Sequence, residues 1–250
     1  MGLNSDSMIT KNNSGTILLS ALFIICICAL LFSSCKKTSY PPLAIDKSYF
    51  PLITGKYIIY DVDSEGWNSF VVDTTDSNYH SESHYQIMEE VDSPYVDNAG
   101  NTAFRIVRSR RTNESDPWTI TDIWSANLTD HTAEKVEENL RFIKLDFPVI
   151  LNRQWFGNSK IQADSNLAFL NGWVYEYTSV FQPLSLNGLT FDSTVTVKED
   201  LDSNAIQQYI YMEKYAKNVG MIYKYEDSLS TQPGYPKSGR ILKMTAKEYN

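Results

Sequence analysis

From Tyr49 onward, apolar and polar residues alternate in short runs with a period of two. That period belongs to β-strands, whose successive side chains point to opposite faces of a sheet. Residues 56–62 (KYIIYDV) place Ile58, Tyr60 and Val62 on one face, and residues 103–109 alternate around Phe104 and Ile106. Trp118, Ile120 and Trp124 share a face, as do Trp173, Tyr175 and Tyr177. Phe191, Val195 and Val197 face away from Thr194, Thr196 and Lys198. Tyr209 with Tyr211, then Met221, Tyr223 and Tyr225, continue the pattern. With 16 Tyr, 11 Phe and 5 Trp in 250 residues, the chain is rich in the side chains that suit a half-buried pleated surface. The predicted fold class is all-β, with antiparallel meanders forming a partly open barrel or a sandwich.

Turn chemistry fits the same reading. After residue 48, Asp-Ser pairs begin at Asp63, Asp76, Asp92, Asp164, Asp192, Asp202 and Asp227. Both side chains compete for backbone hydrogen bonds, so such pairs are expected to punctuate strands. Asn98-Ala99-Gly100-Asn101, Asn171-Gly172 and Asn187-Gly188 are expected hairpin turns. Residues 132–144 carry Val136, Leu140 and Ile143 at helical spacing, and 204–217 also admit a helix; for both, helix and strand stay open. Phe50-Pro51-Leu52-Ile53-Thr54-Gly55-Lys56-Tyr57 is echoed by Phe147-Pro148-Val149-Ile150-Leu151-Asn152-Arg153-Gln154-Trp155. Duplication, with similar halves 49–145 and 146–250, and a chance echo both remain open.

The N-terminus addresses a different question. Residues 17–32 (ILLSALFIICICALLF) form an apolar run of 16 residues interrupted only by Ser20. That suits a signal-peptide core and is short of the roughly 20 residues of a membrane-spanning helix. Leu31-Phe32-Ser33-Ser34-Cys35 follows, with small residues before a cysteine, and resembles a bacterial lipobox. There the leader is cut before the cysteine, whose thiol receives a diacylglycerol. Each buried methylene adds about 0.8 kcal/mol to anchoring, so several acyl chains hold almost irreversibly. The expected organisation is a signal peptide over 1–34, a tether over 35–48 lipidated at Cys35, and a β-rich domain over 49–250. Lys36 and Lys37, directly after the lipid site, resemble outer-membrane sorting; the leaflet face stays open.

The Tyr49-Phe50-Pro51-Leu52…Gly55…Tyr57 opening and the Tyr215-Ala216-Lys217-Asn218-Val219-Gly220-Met221-Ile222 ending, together with the lipobox, resemble uncharacterised cell-envelope lipoproteins of Bacteroidetes-type bacteria. The resemblance implies a β-rich, open-barrel domain and supplies no catalytic residue.

Little chemistry is legible beyond this. Cys26 and Cys28 lie inside the leader, so only Cys35 is retained, which removes disulfides, thiolate metal sites and a catalytic thiol. His80-Ser81-Glu82-Ser83-His84 puts two imidazoles and a carboxylate on one strand face, but with Tyr85 and Ile87 opposite, a solvated face is expected, with no metal and no cofactor. Asp61-Val62-Asp63-Ser64-Glu65-Gly66 lacks the twelfth-position glutamate of a calcium loop and is read as a turn. Glu89-Glu90 and Glu137-Glu138 are adjacent, so they would point to opposite faces of a strand or lie on a helix surface. Arg108, Arg110 and Arg111, followed by Glu114 and Asp116, read as a neutralised solvent face. A net charge of −8 argues against nucleic acid as a partner.

The expected role is therefore that of a non-enzymatic, acyl-anchored envelope protein with a binding or structural function toward an unknown protein or small molecule. Two alternatives stay open. An apolar-ligand or lipid carrier predicts an apolar cavity of several hundred Å³, and a carbohydrate-binding protein would stack sugars on its aromatic side chains.

Overall fold

A computed structural model of the chain describes residues 45–161, 170 and 172–250; the leader, Cys35 and most of the tether lie outside them. Twelve strands form a single antiparallel sheet curled into a nearly closed barrel. They are β1 Tyr57–Trp67, β2 His80–Val96, β3 Thr102–Arg111, β4 Thr119–Leu128, β5 Thr132–Glu137 and β6 Leu140–Asp146, followed by β7 Gln154–Trp155, β8 Tyr175–Leu186, β9 Leu189–Ser203, β10 Gln207–Ala216, β11 Gly220–Ser230 and β12 Ser238–Tyr249. Each strand pairs with its neighbour in sequence except at one point. The first and last strands pair with each other, and the opening lies in mid-chain, between β6 and β7.

Side chains and isolated backbone bonds close that opening. The Ile143 amide donates to the Gly157 carbonyl at 2.7 Å, the Trp155 indole donates to the Ile143 carbonyl at 2.8 Å, and the Tyr177 hydroxyl bridges the backbone of Asp146 at 3.1 Å. Register shifts at Ile59/Tyr60, Val91/Pro94, Arg108/Ser109, Ala133/Glu134 and Lys214/Tyr215 supply the extra residues that bend strands into a barrel. Pro94, which cannot donate to a ladder, sits at one of them. One end of the interior is filled by aromatic and aliphatic side chains, among them Tyr49, Phe50, Tyr60, Phe147, Trp155, Tyr177 and Ile222.

Several expectations are corrected here. Residues 132–144 and 204–217 are strands: β5 with the start of β6, and β10. The helical spacing of Val136, Leu140 and Ile143 is a coincidence across a tight turn in which Glu138 and Asn139 take φ of 49° and 63°. Asp61 to Gly66 is strand, not turn, and the Asp-Ser pairs at Asp63, Asp92, Asp192 and Asp227 also lie inside strands. At Asp63 and Asp227 the ladder runs on through the pair and satisfies the backbone, whereas Asp92-Ser93 and Asp192-Ser193 fall at register shifts, Val91/Pro94 and Gln182/Leu184, and do interrupt the pairing. Asp76-Ser77 does lie in a turn, Asp202-Ser203 ends β9, and Asp164 falls outside the described residues. Asn187-Gly188 makes the two-residue hairpin between β8 and β9, both residues at positive φ (50° and 80°). Asn98 to Asn101 connects β2 to β3, and Asn171 lies outside the described residues.

Ile120 does not share a face with Trp124. An extra residue, Thr121, opposite the Arg108/Ser109 step turns Ile120 outward, where it is 62% exposed. On β11 the inward pair is Lys224 and Glu226, with Tyr223 and Tyr225 half-exposed, because Ile222 is an extra residue between Met221 and Tyr223. The last residues read as tether are held to the body: Asp46 pairs with Lys217 at 2.8 Å, and the Asn218 amide donates to the Ser48 carbonyl at 2.7 Å.

The two echoed segments share one backbone geometry. Gly55 and Asn152 both adopt positive φ, and their amides donate to Val91 and Tyr177 of the adjoining strand. The Lys56 and Arg153 amides donate back to Ile53 and Ile150, and their carbonyls accept from Val91 and Tyr177. The echo in sequence is thus a step of six strands around the barrel.

Candidate functional site

Beneath the aromatic plug, the inward positions of nine strands are charged. Glu89 (β2), Arg108 (β3), Asp122 (β4), Lys135 and Glu137 (β5), Lys144 (β6), Glu199 (β9), Glu213 (β10), Lys224 and Glu226 (β11) and Arg240 (β12) form one continuous belt. Asp122 holds Arg108 at 3.1 Å, and Arg108 reaches Glu89 at 3.6 Å. Lys135 bridges Glu89 at 2.8 Å and Glu137 at 3.3 Å. Lys144 meets Glu137 at 3.6 Å, Glu199 at 3.0 Å and Glu213 at 2.9 Å. Lys224 meets Glu137, Glu213 and Glu226 at 3.6, 3.4 and 2.9 Å, and Glu226 ends the chain on Arg240 at 3.0 Å. A buried charge costs several kcal/mol of desolvation, which only well-placed partners offset. Each of the three belt lysines accordingly has two or three carboxylates.

The partners are not shared equally. Burial acts to raise Glu137, but Lys144, Lys224 and Lys135 outweigh it and hold that carboxyl well below the usual range. Glu213 is lowered in the same way by Lys144 and Lys224 against its burial, and it also accepts from the Tyr215 hydroxyl. Glu199 has Lys144 as its closest cation; burial, with the Glu213 charge, pushes it up to about 7. Burial lowers Lys144, but Glu137, Glu199 and Glu213 raise it well above its ordinary value. The belt has six carboxylates against five cations, and Glu199 is the one whose protonation burial favours.

Cavities lie on both sides of the belt. One of about 80 Å³ lies toward the plug, under Pro51, Leu52 and Val219. The other, of about 180 Å³, has Leu140, Phe142, Leu170, Trp173 and Tyr211 as walls and Glu137, Lys144, Tyr175, Glu199, Lys224 and Glu226 in its lining. It arises where strands are short. β5, β6 and β7 have 6, 7 and 2 residues while the other nine have 10 to 17, so Leu170 and Trp173 complete the wall there. Tyr175 is fully buried, its ring 5.8 Å from that of Trp155, and no described residue hydrogen-bonds its hydroxyl. An ideal Cβ on Gly157 would come within 2.4 Å of that ring, so only glycine fits there. A third cavity, of about 500 Å³, runs along β4 and takes in Arg105, Asp122, Trp124 and Asn139.

The residues singled out in the sequence mostly lie elsewhere. His84 bonds Asp63 at 2.6 Å, and His80 stacks on Trp67 with ring centres 4.9 Å apart; both histidines and Glu82 are exposed. Arg110 and Arg111 stack on Tyr85 and Trp118 on the flank of the barrel, whereas Arg108 belongs to the belt, a departure from the solvent face expected of it. Of each adjacent glutamate pair, Glu89 and Glu137 turn inward. The alternation Lys135-x-Glu137 and Lys224-x-Glu226 was the available signal. Read alone it describes a solvated face, and only the partner strands reveal it as interior.

No family model matches the chain, and no curated protein matches it. Two solved structures are similar in fold. One is described as an exported protein with a YmcC-like fold, from Bacteroides fragilis, at 9% identity and TM-score 0.44, covering 80% of this chain and 98% of its own. The other is described as a lipoprotein from Parabacteroides distasonis, at 10% identity and TM-score 0.44, covering 82% and 99%. Likeness at that level carries no argument about function.

Proposed function

We propose that this chain is a lipid-anchored protein of the cell envelope, on the outer membrane, whose β-barrel acts by binding rather than by catalysis. The anchor rests on Cys35, which closes an apolar leader behind two serines. The binding reading rests on the belt. Its carboxylates converge on shared cations, Glu137, Glu199 and Glu213 all on Lys144, instead of facing one another across a cleft as hydrolytic pairs do. The belt also divides the interior, and the two cavities it separates, about 80 and 180 Å³, are each too small for the long acyl chains of a lipid carrier.

Metabolic labelling with an alkyne fatty acid tests the anchor. The wild-type chain is expected to be labelled and recovered with membranes, and Cys35→Ala to be unlabelled. Equal labelling of the two overturns the proposal.

A further inference from the structure

We infer that the cavity walled by Phe142, Trp173 and Tyr211 binds a neutral molecule of one six-membered ring with hydroxyl groups along one edge. This rests on the binding reading above and names its ligand class. Size comes first: the cavity is about 180 Å³, and an apolar cavity of about 150 Å³ takes up one benzene. Its walls are suited to a flat ring, with Trp173 and Tyr211 packed at 4.6 Å between centroids and Phe142 beside the Lys144 ammonium at 5.0 Å.

The polar side is equally specific. The Tyr175 hydroxyl is a buried donor and acceptor with no described partner, and leaving such a group unpaired costs about 1–3 kcal/mol. Glu199 lines the same cavity, and its bond to Lys144 uses one carboxyl oxygen. A ligand hydroxyl both donates and accepts, so it satisfies the two together. Negative charge is unfavourable in the ligand. Lys144 and Lys224 each already hold three carboxylates, so an anion finds no free cation.

Two sources share this chemistry, a monosaccharide and an aromatic alcohol. The full chain, purified in a detergent without sugar head groups, would be titrated calorimetrically with methyl glucoside and methyl galactoside in one arm, and with phenol and benzyl alcohol in the other. Glucuronate and benzoate serve as charged controls. One arm is expected to saturate at one molecule per chain, which identifies the source, with its charged counterpart at least tenfold weaker.

Tyr175→Phe should weaken binding about fivefold, the worth of one hydrogen bond, while leaving the melting temperature unchanged or higher. A purely structural hydroxyl would lower it. Leu140→Trp, which fills the cavity, should abolish binding. Saturation in neither arm, equal affinity for the charged controls, or binding that survives both substitutions overturns the inference. Acyl labelling through Cys35 is read separately, so loss of this site leaves the envelope reading standing.

Discussion

Glu199 and Glu213 approach the same ammonium, Lys144, at 3.0 and 2.9 Å, yet burial pushes Glu199 up while Glu213 is lowered, because Glu213 also pairs with Lys224 at 3.4 Å and accepts from the Tyr215 hydroxyl. The difference has a consequence for stability. With its folded value raised to about 7 from an ordinary 4.5, Glu199 binds more protons folded than unfolded between those values. Its contribution is therefore full below pH 4.5 and lost as pH rises toward 7, about 3 kcal/mol at 1.36 kcal/mol for each unit. Glu137 and Glu213, both lowered, contribute in the opposite sense, and their share is lost as pH falls below about 4.5. Denaturant unfolding should show wild-type stability falling between pH 5 and 8, whereas Glu199→Gln, which keeps an acceptor for Lys144, should be nearly flat there; a parallel slope in the variant would refute the assignment. Lys144→Ala strips three carboxylates of a cation at once and should cost at least about 3 kcal/mol. None of these roles was legible in the sequence. A lysine or glutamate in strand alternation looks the same whether it faces water or a counterion, and the counterions here come from strands up to 87 residues away, as Lys224 does to Glu137.

At the scale of elements, legibility followed the ladder. Where the period of two runs unshifted, as over Tyr60 to Val62 in β1 and Val195 to Val197 in β9, the inward faces were read correctly. Faces were misread where a register shift intervened, at Thr121 and at Ile222, because an inserted residue leaves the composition of a strand unchanged while inverting its parity. Asp-Ser pairs misled only in part: the ladder runs on through those at Asp63 and Asp227, while those at Asp92 and Asp192 mark breaks in the pairing inside a long strand. The short strands carry the weakness and also the site. Gly157 lies in the segment after β7, where its carbonyl holds the Ile143 amide and its missing side chain admits the Tyr175 ring. Gly157→Ala should displace that ring and the seam bond together. It is expected to lower stability by about 2 kcal/mol, in the range of overpacked cores, and to broaden the amide resonance of Ile143. An unchanged melting temperature would mean that the ring is not clamped as described.

The molecule as a whole is a ring of twelve strands joined strongly at its termini and weakly at its middle. β1 meets β12 along nearly its full length, from Ile58 opposite Tyr249 to Trp67 opposite Gly239, although these strands are the most distant in sequence. β6 and β7, consecutive in the chain, share no ladder; across that seam run single bonds from Ile143 and Trp155 and the Tyr177 bridge to Asp146. Local opening takes the path of fewest buried bonds, so the barrel should open at β6 and β7 while its termini stay closed. Opening there would bare the cavity beneath Leu140, Phe142 and Trp173, and the seam would then serve as the route by which a ring-sized ligand enters. Native-state hydrogen exchange distinguishes the two ends. The Ile143 amide and the Trp155 indole N–H should exchange through openings of a few kcal/mol, whereas the amides of Tyr60, Val62 and Met244 should exchange only on global unfolding. A saturating ligand in the cavity should slow the first group selectively. Equal protection at both places would mean that the sheet breathes as one unit, and that the short strands, despite their missing ladder, are as firmly closed as the termini.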